Sequence, residues 1–269
     1  MRNIKQLLDS SSPLTMGILN VTPDSFSDGG QHDTVKKALK RAEEMESEGA
    51  DIIDIGGEST GPNSKYVPPN EELKRVIPVL KALRKKTSIP ISIDTYKSQI
   101  AREALENGAD IINDVTALRG DTSMAKIVAK YKCPIILMYS KDKTPRTTVQ
   151  KKHYKDVIKT IKSFLLARIR YAQKKGIKKS QIIIDPGMGN FISAIPKYSY
   201  EIISRMSELQ KLKLPILLGA SRKSFLGGTF KDRDTASVAI AGIAYLNGAS
   251  IIRTHNVSAT KEFFKNFSL

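Results

Sequence analysis

Cysteine is almost missing from this sequence: Cys133 is the only one in 269 residues. An internal disulfide is therefore impossible, and a cysteine-based zinc site is excluded. Cys133 precedes Pro134 at the entrance of an apolar run, the place of a small buried filler rather than of a nucleophile. Long apolar runs are missing too. None approaches the roughly 18 residues that a membrane-crossing helix needs, and Met1 to Pro13 lacks the apolar centre of a signal peptide. The expectation is a soluble, cytoplasmic protein with no membrane partner. Aromatic residues are sparse, at 6%, and are not interleaved with the basic ones.

Charge is what the chain has in excess. Forty-four basic residues against 27 acidic ones leave a net charge of +17. Alone, this would permit a nucleic-acid or anionic-surface partner. The lysines, however, are scattered in pairs (Lys36-Lys37, Lys85-Lys86, Lys151-Lys152, Lys174-Lys175, Lys178-Lys179), with no Gly-rich arm. They read as solvated helix faces, so no nucleic-acid partner is expected, while a positive field would draw in an anionic small substrate. With 40% hydrophobic and 26% charged residues, the composition is that of a globular chain with a sizeable core.

Short runs rich in Ile, Leu and Val recur along the chain: Met16 to Leu19, Ile52 to Ile55, Ile91 to Ile93, Ile111 to Ile112, Ile135 to Met138, Ile182 to Ile184, Ile216 to Leu218 and Ile251 to Ile252. They predict eight buried parallel strands. Segments of helical periodicity lie between them, such as Val35, Leu39, Ala42, Met45 and Ile158, Ile161, Leu165, Ile169. A hexapeptide recurs as Glu48-Gly-Ala-Asp-Ile-Ile53, Asn107-Gly-Ala-Asp-Ile-Ile112 and Asn247-Gly-Ala-Ser-Ile-Ile252. Each glycine stands where a helix must end in a left-handed turn before the next strand. An open doubly wound sheet alternates in the same way, but eight strands without a dinucleotide fingerprint favour a closed α/β barrel, a single (β/α)8 TIM barrel spanning residues 1–269. Loops Thr22 to Asp33, Glu58 to Asn70 and Tyr139 to Gln150 are long and polar, as functional barrel loops are.

In such a barrel, polar residues at the carboxyl ends of strands read as a site. Here they are Asn20, Asp54, Asp94, Asn113, Ser140, Asp185, Ser221 with Lys223, and Arg253 with His255. So many buried polar groups on one face demand partners that a ligand would supply. Asp94, Asn113 and Asp185 suit a flat heterocycle bearing N–H donors, and Lys223 can donate to its carbonyl or ring nitrogen. Arg253 and His255, on the last strand, form a cationic site for phosphate. Asn20 could ligate Mg²⁺ carried in by a pyrophosphate.

These residues lie in segments that resemble the dihydropteroate synthase family. Met16-Gly-Ile-Leu-Asn-Val-Thr-Pro-Asp-Ser-Phe-Ser-Asp-Gly-Gly30 and Gly57-Glu-Ser-Thr60 look like its two signatures. Ser92-Ile-Asp94, Ile112-Asn-Asp-Val115, Asp185-Pro-Gly187, Ser221-Arg-Lys-Ser-Phe225 and Arg253-Thr-His255 follow in family order. The resemblance implies condensation of 6-hydroxymethyl-7,8-dihydropterin pyrophosphate with 4-aminobenzoate in folate synthesis, by a homodimer using Mg²⁺. It assigns Asp94, Asn113, Asp185 and Lys223 to the pterin, and Asn20, Arg253 and His255 to the pyrophosphate with Mg²⁺. Thr22, Asp24, Phe26 and Ser27 would close over the leaving group, with Thr60 and Ser221 shaping the aminobenzoate pocket. Asp94, Asp185, Lys223 and Arg253 are the expected catalytic residues.

The chain departs from the family pattern at three places. Gly61 follows Glu58-Ser-Thr60 where the family has Arg, Tyr139 stands where His is common, and Gly189-Asn190-Phe191-Ile192-Ser193 replaces the usual run after Asp185-Pro-Gly187. This last segment, with Leu209-Gln-Lys-Leu-Lys213, is most similar to the sulfonamide-insensitive branch of the family, and implies Phe191 as a wedge against sulfonamides. Two other readings remain: a non-catalytic pterin-binding paralogue, and a barrel that binds methylated folate for methyl transfer.

Overall fold

The computed structural model describes residues 12–22 and 31–267. Among them run eight parallel strands: β1 (Leu14–Asn20), β2 (Ile52–Gly56), β3 (Ile91–Asp94), β4 (Ile111–Asp114), β5 (Ile135–Met138), β6 (Ile182–Asp185), β7 (Leu217–Leu218) and β8 (Ile251–Thr254). The helices between and after them are α1 (Gln31–Ser47), α2 (Pro69–Arg84), α3 (Ser98–Glu106), α4 (Met124–Tyr131), α5 (Val157–Lys174), α6 (Lys197–Ser204), α7 (Phe230–Leu246) and α8 (Val257–Asn266). Each strand pairs with its neighbours in chain order, β1 pairs with β8, and a parallel bridge between Ile184 and Ile216 joins β6 to the β7 side. The ring is thereby closed, as a (β/α)8 barrel requires.

Several bounds differ from expectation. Strands β3, β4, β6 and β8 run on through their polar residues to Asp94, Asp114, Asp185 and Thr254, because ladder hydrogen bonds are made by the backbone whatever the side chain. β7 is shorter than expected, because Ile216 stands just outside it and bridges to Ile184 of β6. The second loop stops at Pro68, since α2 opens with Pro69 and carries Glu71 and Glu72 in its first turn, both favourable at a helix N-terminus. The first loop gives way to α1 at Gln31. The fifth loop is longer than expected and ends at Asp156, whose side chain caps α5 by accepting from the Lys159 N–H.

The repeated hexapeptide is one αβ turn used three times: Gly49, Gly108 and Gly248 have φ of 92°, 96° and 100°, where a Cβ would be strained. Cys133 is fully buried, and burial pushes its thiol up to about 12, consistent with a filler. Between strands and helices lies the larger core. Inside the ring, Met16, Ile52, Ile111, Ile183 and Ile251 belong to one buried cluster. Side chains alternate along a strand, so residues two further on share that interior face. From Ile52, Ile111, Ile183 and Ile251 this step leads to Asp54, Asn113, Asp185 and Arg253. Polarity thus changes along one barrel axis, from apolar floor to charged mouth. Among the described residues, no helix is long and apolar enough to cross a membrane.

Candidate active site

A cavity of about 1110 Å³ opens at the carboxyl ends of the strands, lined among others by Asn20, Thr22, Thr60, Asp94, Ser221, Lys223, Arg253 and His255. Eight of the expected site residues therefore share one space. Asn113 and Asp185, 7% and 6% exposed, are not among its lining residues; strand alternation puts them in the layer just above the apolar floor. Phe26, with Asp24 and Ser27, lies outside the described residues.

The base of the site is a charged network. Arg253 donates from Nε to Asp54 Oδ2 at 2.6 Å and from Nη2 to Asp94 Oδ2 at 2.8 Å, while Asn113 Nδ2 donates to the same Asp54 oxygen at 3.1 Å. Asp54 is fully buried, and its other oxygen has no hydrogen-bond partner among the described residues. The Ser92 hydroxyl, beside it in the β2–β3 register, is also buried and unpartnered. Asp54 therefore anchors the network, although sequence reasoning placed it only among strand-end polar residues. The missed signal was its place two residues after Ile52, inside the ring.

Burial pushes the Asp94 carboxyl up to about 7, against the pull of Arg253, with Asp54 adding to the rise. Burial also raises Asp185, which Lys223 partly opposes, and one Asp185 oxygen accepts the Gly187 N–H at 2.7 Å. Gly187 has φ of 70°, and a Cβ there would come within 2.3 Å of the Tyr139 carbonyl oxygen, so this turn admits only glycine. Lys223 is brought down to about 8 by burial, with Asp185 and Asp94 opposing and Arg253 reinforcing the fall. Its ammonium lies 5.1 Å from the centre of the Phe191 ring, within cation–π range.

His255 is not the cation expected from sequence. Burial, and then the guanidiniums of Arg253 and Arg222, bring its imidazole down to about 4, so it is neutral near pH 7. Ser221 Oγ accepts the His255 backbone N–H at 3.1 Å and lies 2.9 Å from Nδ1. Where the hydroxyl donates to Nδ1, the imidazole proton lies on Nε2. In that tautomer the ring presents a neutral donor. Two cations that sequence reasoning passed over line the same cavity: Arg41 donates to the His255 carbonyl at 3.1 Å, and Arg222 is paired with Asp234.

The departures from the family pattern fall in different places. A Cβ at Gly61 would meet only Ser59 Oγ, at 3.5 Å, so the cavity wall has room there. Beneath that wall, buried Glu58 is paired with Lys97 and Arg146, and Thr147 N–H donates to the Thr60 carbonyl at 3.1 Å. Phe191 is half-buried on Tyr96, Val115 and Met138 and presents its ring to Lys223. Tyr139, the first residue of the fifth loop, points outward, edge-on to Phe164 at 5.1 Å, because alternation along β5 turns Met138 inward and Tyr139 away.

Among the described residues, no three His, Cys, Asp or Glu side chains gather as a metal cage. Asn20, exposed at the end of β1, offers a neutral amide oxygen over Gly56 at the rim of the cavity. One such donor suits Mg²⁺ that keeps most of its waters and is held chiefly by substrate phosphates.

A family model described as "Pterin binding enzyme" matches residues 16–255. The chain is 44% identical over 253 residues to the dihydropteroate synthase of Streptococcus pyogenes serotype M3, covering 92% of this chain and 91% of the relative. Its fold is similar to that of Xanthomonas albilineans dihydropteroate synthase solved with 4-aminobenzoic acid, with a TM-score of 0.88, 40% identity, and 96% and 92% of the two chains covered. The same enzyme in complex with 7,8-dihydropteroate gives a TM-score of 0.84 at 38% identity, over 96% and 92% of the chains.

Proposed function

The chain belongs to the dihydropteroate synthases, a family of pterin-binding enzymes, and from that membership we propose how its barrel mouth divides the work of the reaction. The enzyme joins 6-hydroxymethyl-7,8-dihydropterin pyrophosphate to 4-aminobenzoate, releasing pyrophosphate and forming 7,8-dihydropteroate. The observation that carries the assignment of roles is one cavity lined by Asp94, Lys223, Arg253 and His255, with buried Asp54 and Asn113 hydrogen-bonded in a network behind Arg253.

Asp94, Asn113 and Asp185 hold the pterin by its N–H donors, and Lys223 donates to its acceptors. Loss of pyrophosphate from the exocyclic CH₂ leaves positive charge that the ring delocalises, so the carboxylates stabilise it where it develops. Arg253, whose Nη1 is not used by Asp54 or Asp94, and the Nε2–H of neutral His255 receive the departing negative charge. Asn20 would hold Mg²⁺ that arrives with the substrate; when bound, that ion supplies further positive charge to the leaving group. Aminobenzoate is oriented by Thr60 and Ser221, and its nitrogen then attacks the carbon. No protein nucleophile is needed; positioning and charge complementarity carry the rate.

The whole chain, 1–269, acts as one barrel, in the cytoplasm. Pairing of two copies is supported by Ile243 and Leu246 on α7, which are 45% and 55% exposed. Sulfonamide insensitivity is supported by the half-buried Phe191 ring and the room at Gly61. The decisive assay is pyrophosphate release from the pterin pyrophosphate, with and without 4-aminobenzoate. Rapid release should require both substrates; binding of pterin without turnover would leave only a binding protein.

A further inference from the structure

Lys141, just past β5, has a side chain only 1% exposed. Its ammonium donates to Asp142 Oδ2 at 2.6 Å, to the Thr148 carbonyl at 2.7 Å and to the Asn190 carbonyl at 2.8 Å. Its backbone N–H donates to the Phe191 carbonyl, also at 2.8 Å. One residue of the fifth loop thus grips the carbonyls on both sides of the Phe191 nitrogen and α-carbon. Burying an ammonium is costly unless its donors are all satisfied, and an apolar side chain would fill the same space without that cost. Lys141 makes no hydrogen bond or ion pair with Asp94, Asp185, Lys223 or Arg253, so what its burial secures is the course of the sixth loop.

That course decides where the Phe191 ring lies. Asp185 from β6, Asp94 from β3 and Arg253 from β8 act on the Lys223 ammonium from strand ends, which the barrel ladder fixes. Phe191 is held instead by a short turn, Gly189–Phe191, and the Lys141 contacts tie that turn to the fifth loop. We propose that Lys141 is a positioning residue: by holding Asn190 and Phe191 it sets the aromatic ring against the Lys223 ammonium, and so governs how tightly the dihydropterin substrate is held. The proposal rests on Lys223 being a pterin donor.

The test is a double-mutant comparison of Lys141→Met, Phe191→Ala and the pair. Lys141→Met keeps the apolar stem; the Asn190 carbonyl retains the Thr147 hydroxyl as donor at 2.8 Å, and Asp142 retains the N–H and hydroxyl of Thr148. A folded protein is therefore expected, checked by thermal melting. Each single variant should raise KM for the pterin pyrophosphate about 3- to 30-fold, with kcat changed by less than about threefold, the scale of a partly dry cation–π contact. The double variant should be no worse than the poorer single, because both act through the same ring. A Lys141→Met enzyme with a lowered melting temperature but unchanged KM would overturn the proposal, as would effects that multiply in the pair. Lys223→Met, measured for equilibrium pterin binding, separates the two layers: unchanged affinity there overturns the reading of Lys223 itself.

Discussion

Arg253 Nε lies 2.6 Å from Asp54 Oδ2, a contact that joins the ends of β8 and β2 across the intervening β1. The same guanidinium spans to Asp94, so one cation balances two carboxylates in a site that must then receive a polyphosphate. Arg253→Ala therefore removes two functions together. Leaving Asp54 buried and uncompensated should lower unfolding stability by about 3 to 5 kcal/mol. Asp54→Asn in the same chain should recover part of the loss, as read by denaturant melts. No recovery would mean that the stability resides elsewhere.

For binding, Arg253→Ala should weaken the pyrophosphate substrate by about 2 to 4 kcal/mol and a phosphate-free pterin far less. Isothermal calorimetry with the two ligands measures the difference. Equal weakening would assign Arg253 to the carboxylate network alone.

Asp185→Asn should preserve the fold, because the side-chain oxygen that accepts the Gly187 N–H remains available. It should still lose pterin affinity, since the amide presents a donor where the heterocycle also presents one. Leaving a buried polar group unpaired costs about 1 to 3 kcal/mol, or roughly 5- to 160-fold. Unchanged catalytic efficiency in a folded variant would remove Asp185 from the pterin site.

The neutral His255 makes stability depend on pH. Its imidazole titrates near 4 when folded, against 6.5 for an unperturbed histidine. The unfolded chain therefore binds the extra proton first as pH falls, and the stabilisation present above about 6.5 is lost progressively towards 4. His255→Gln lacks this titration, so the difference in unfolding free energy between the two proteins should slope across that window and stay level above it. A difference that stays flat down to pH 4 would show that the imidazole is not held neutral.

Phe191 should discriminate against sulfonamides, which copy aminobenzoate at the aniline end but carry a bulkier group at the other. Steric exclusion at such a wall is worth about 1 to 3 kcal/mol, or roughly 5- to 160-fold. The ratio of the sulfamethoxazole inhibition constant to the aminobenzoate KM should be high in the native enzyme and fall in Phe191→Gly. A native ratio near that of an ordinary synthase, unmoved by the mutation, would leave Phe191 as packing alone.

The sequence by itself determined which residues reach the mouth of the barrel. Ile-rich runs placed the strands, the glycine of the repeated hexapeptide closed the helices before them, and a step of two residues from Ile52, Ile111, Ile183 and Ile251 carried Asp54, Asn113, Asp185 and Arg253 inside. These signals are local, because backbone geometry and alternation act within a few residues. Only the tertiary structure decided what those residues do to one another. Arg253 meets Asp54 and Asp94 from 199 and 159 positions away, His255 loses its charge to burial beside Arg253 and Arg222, and Lys141 finds the Asn190 carbonyl across 49 positions. Charge state and side-chain partners depend on distance and solvent exclusion, and both are set by closing the ring.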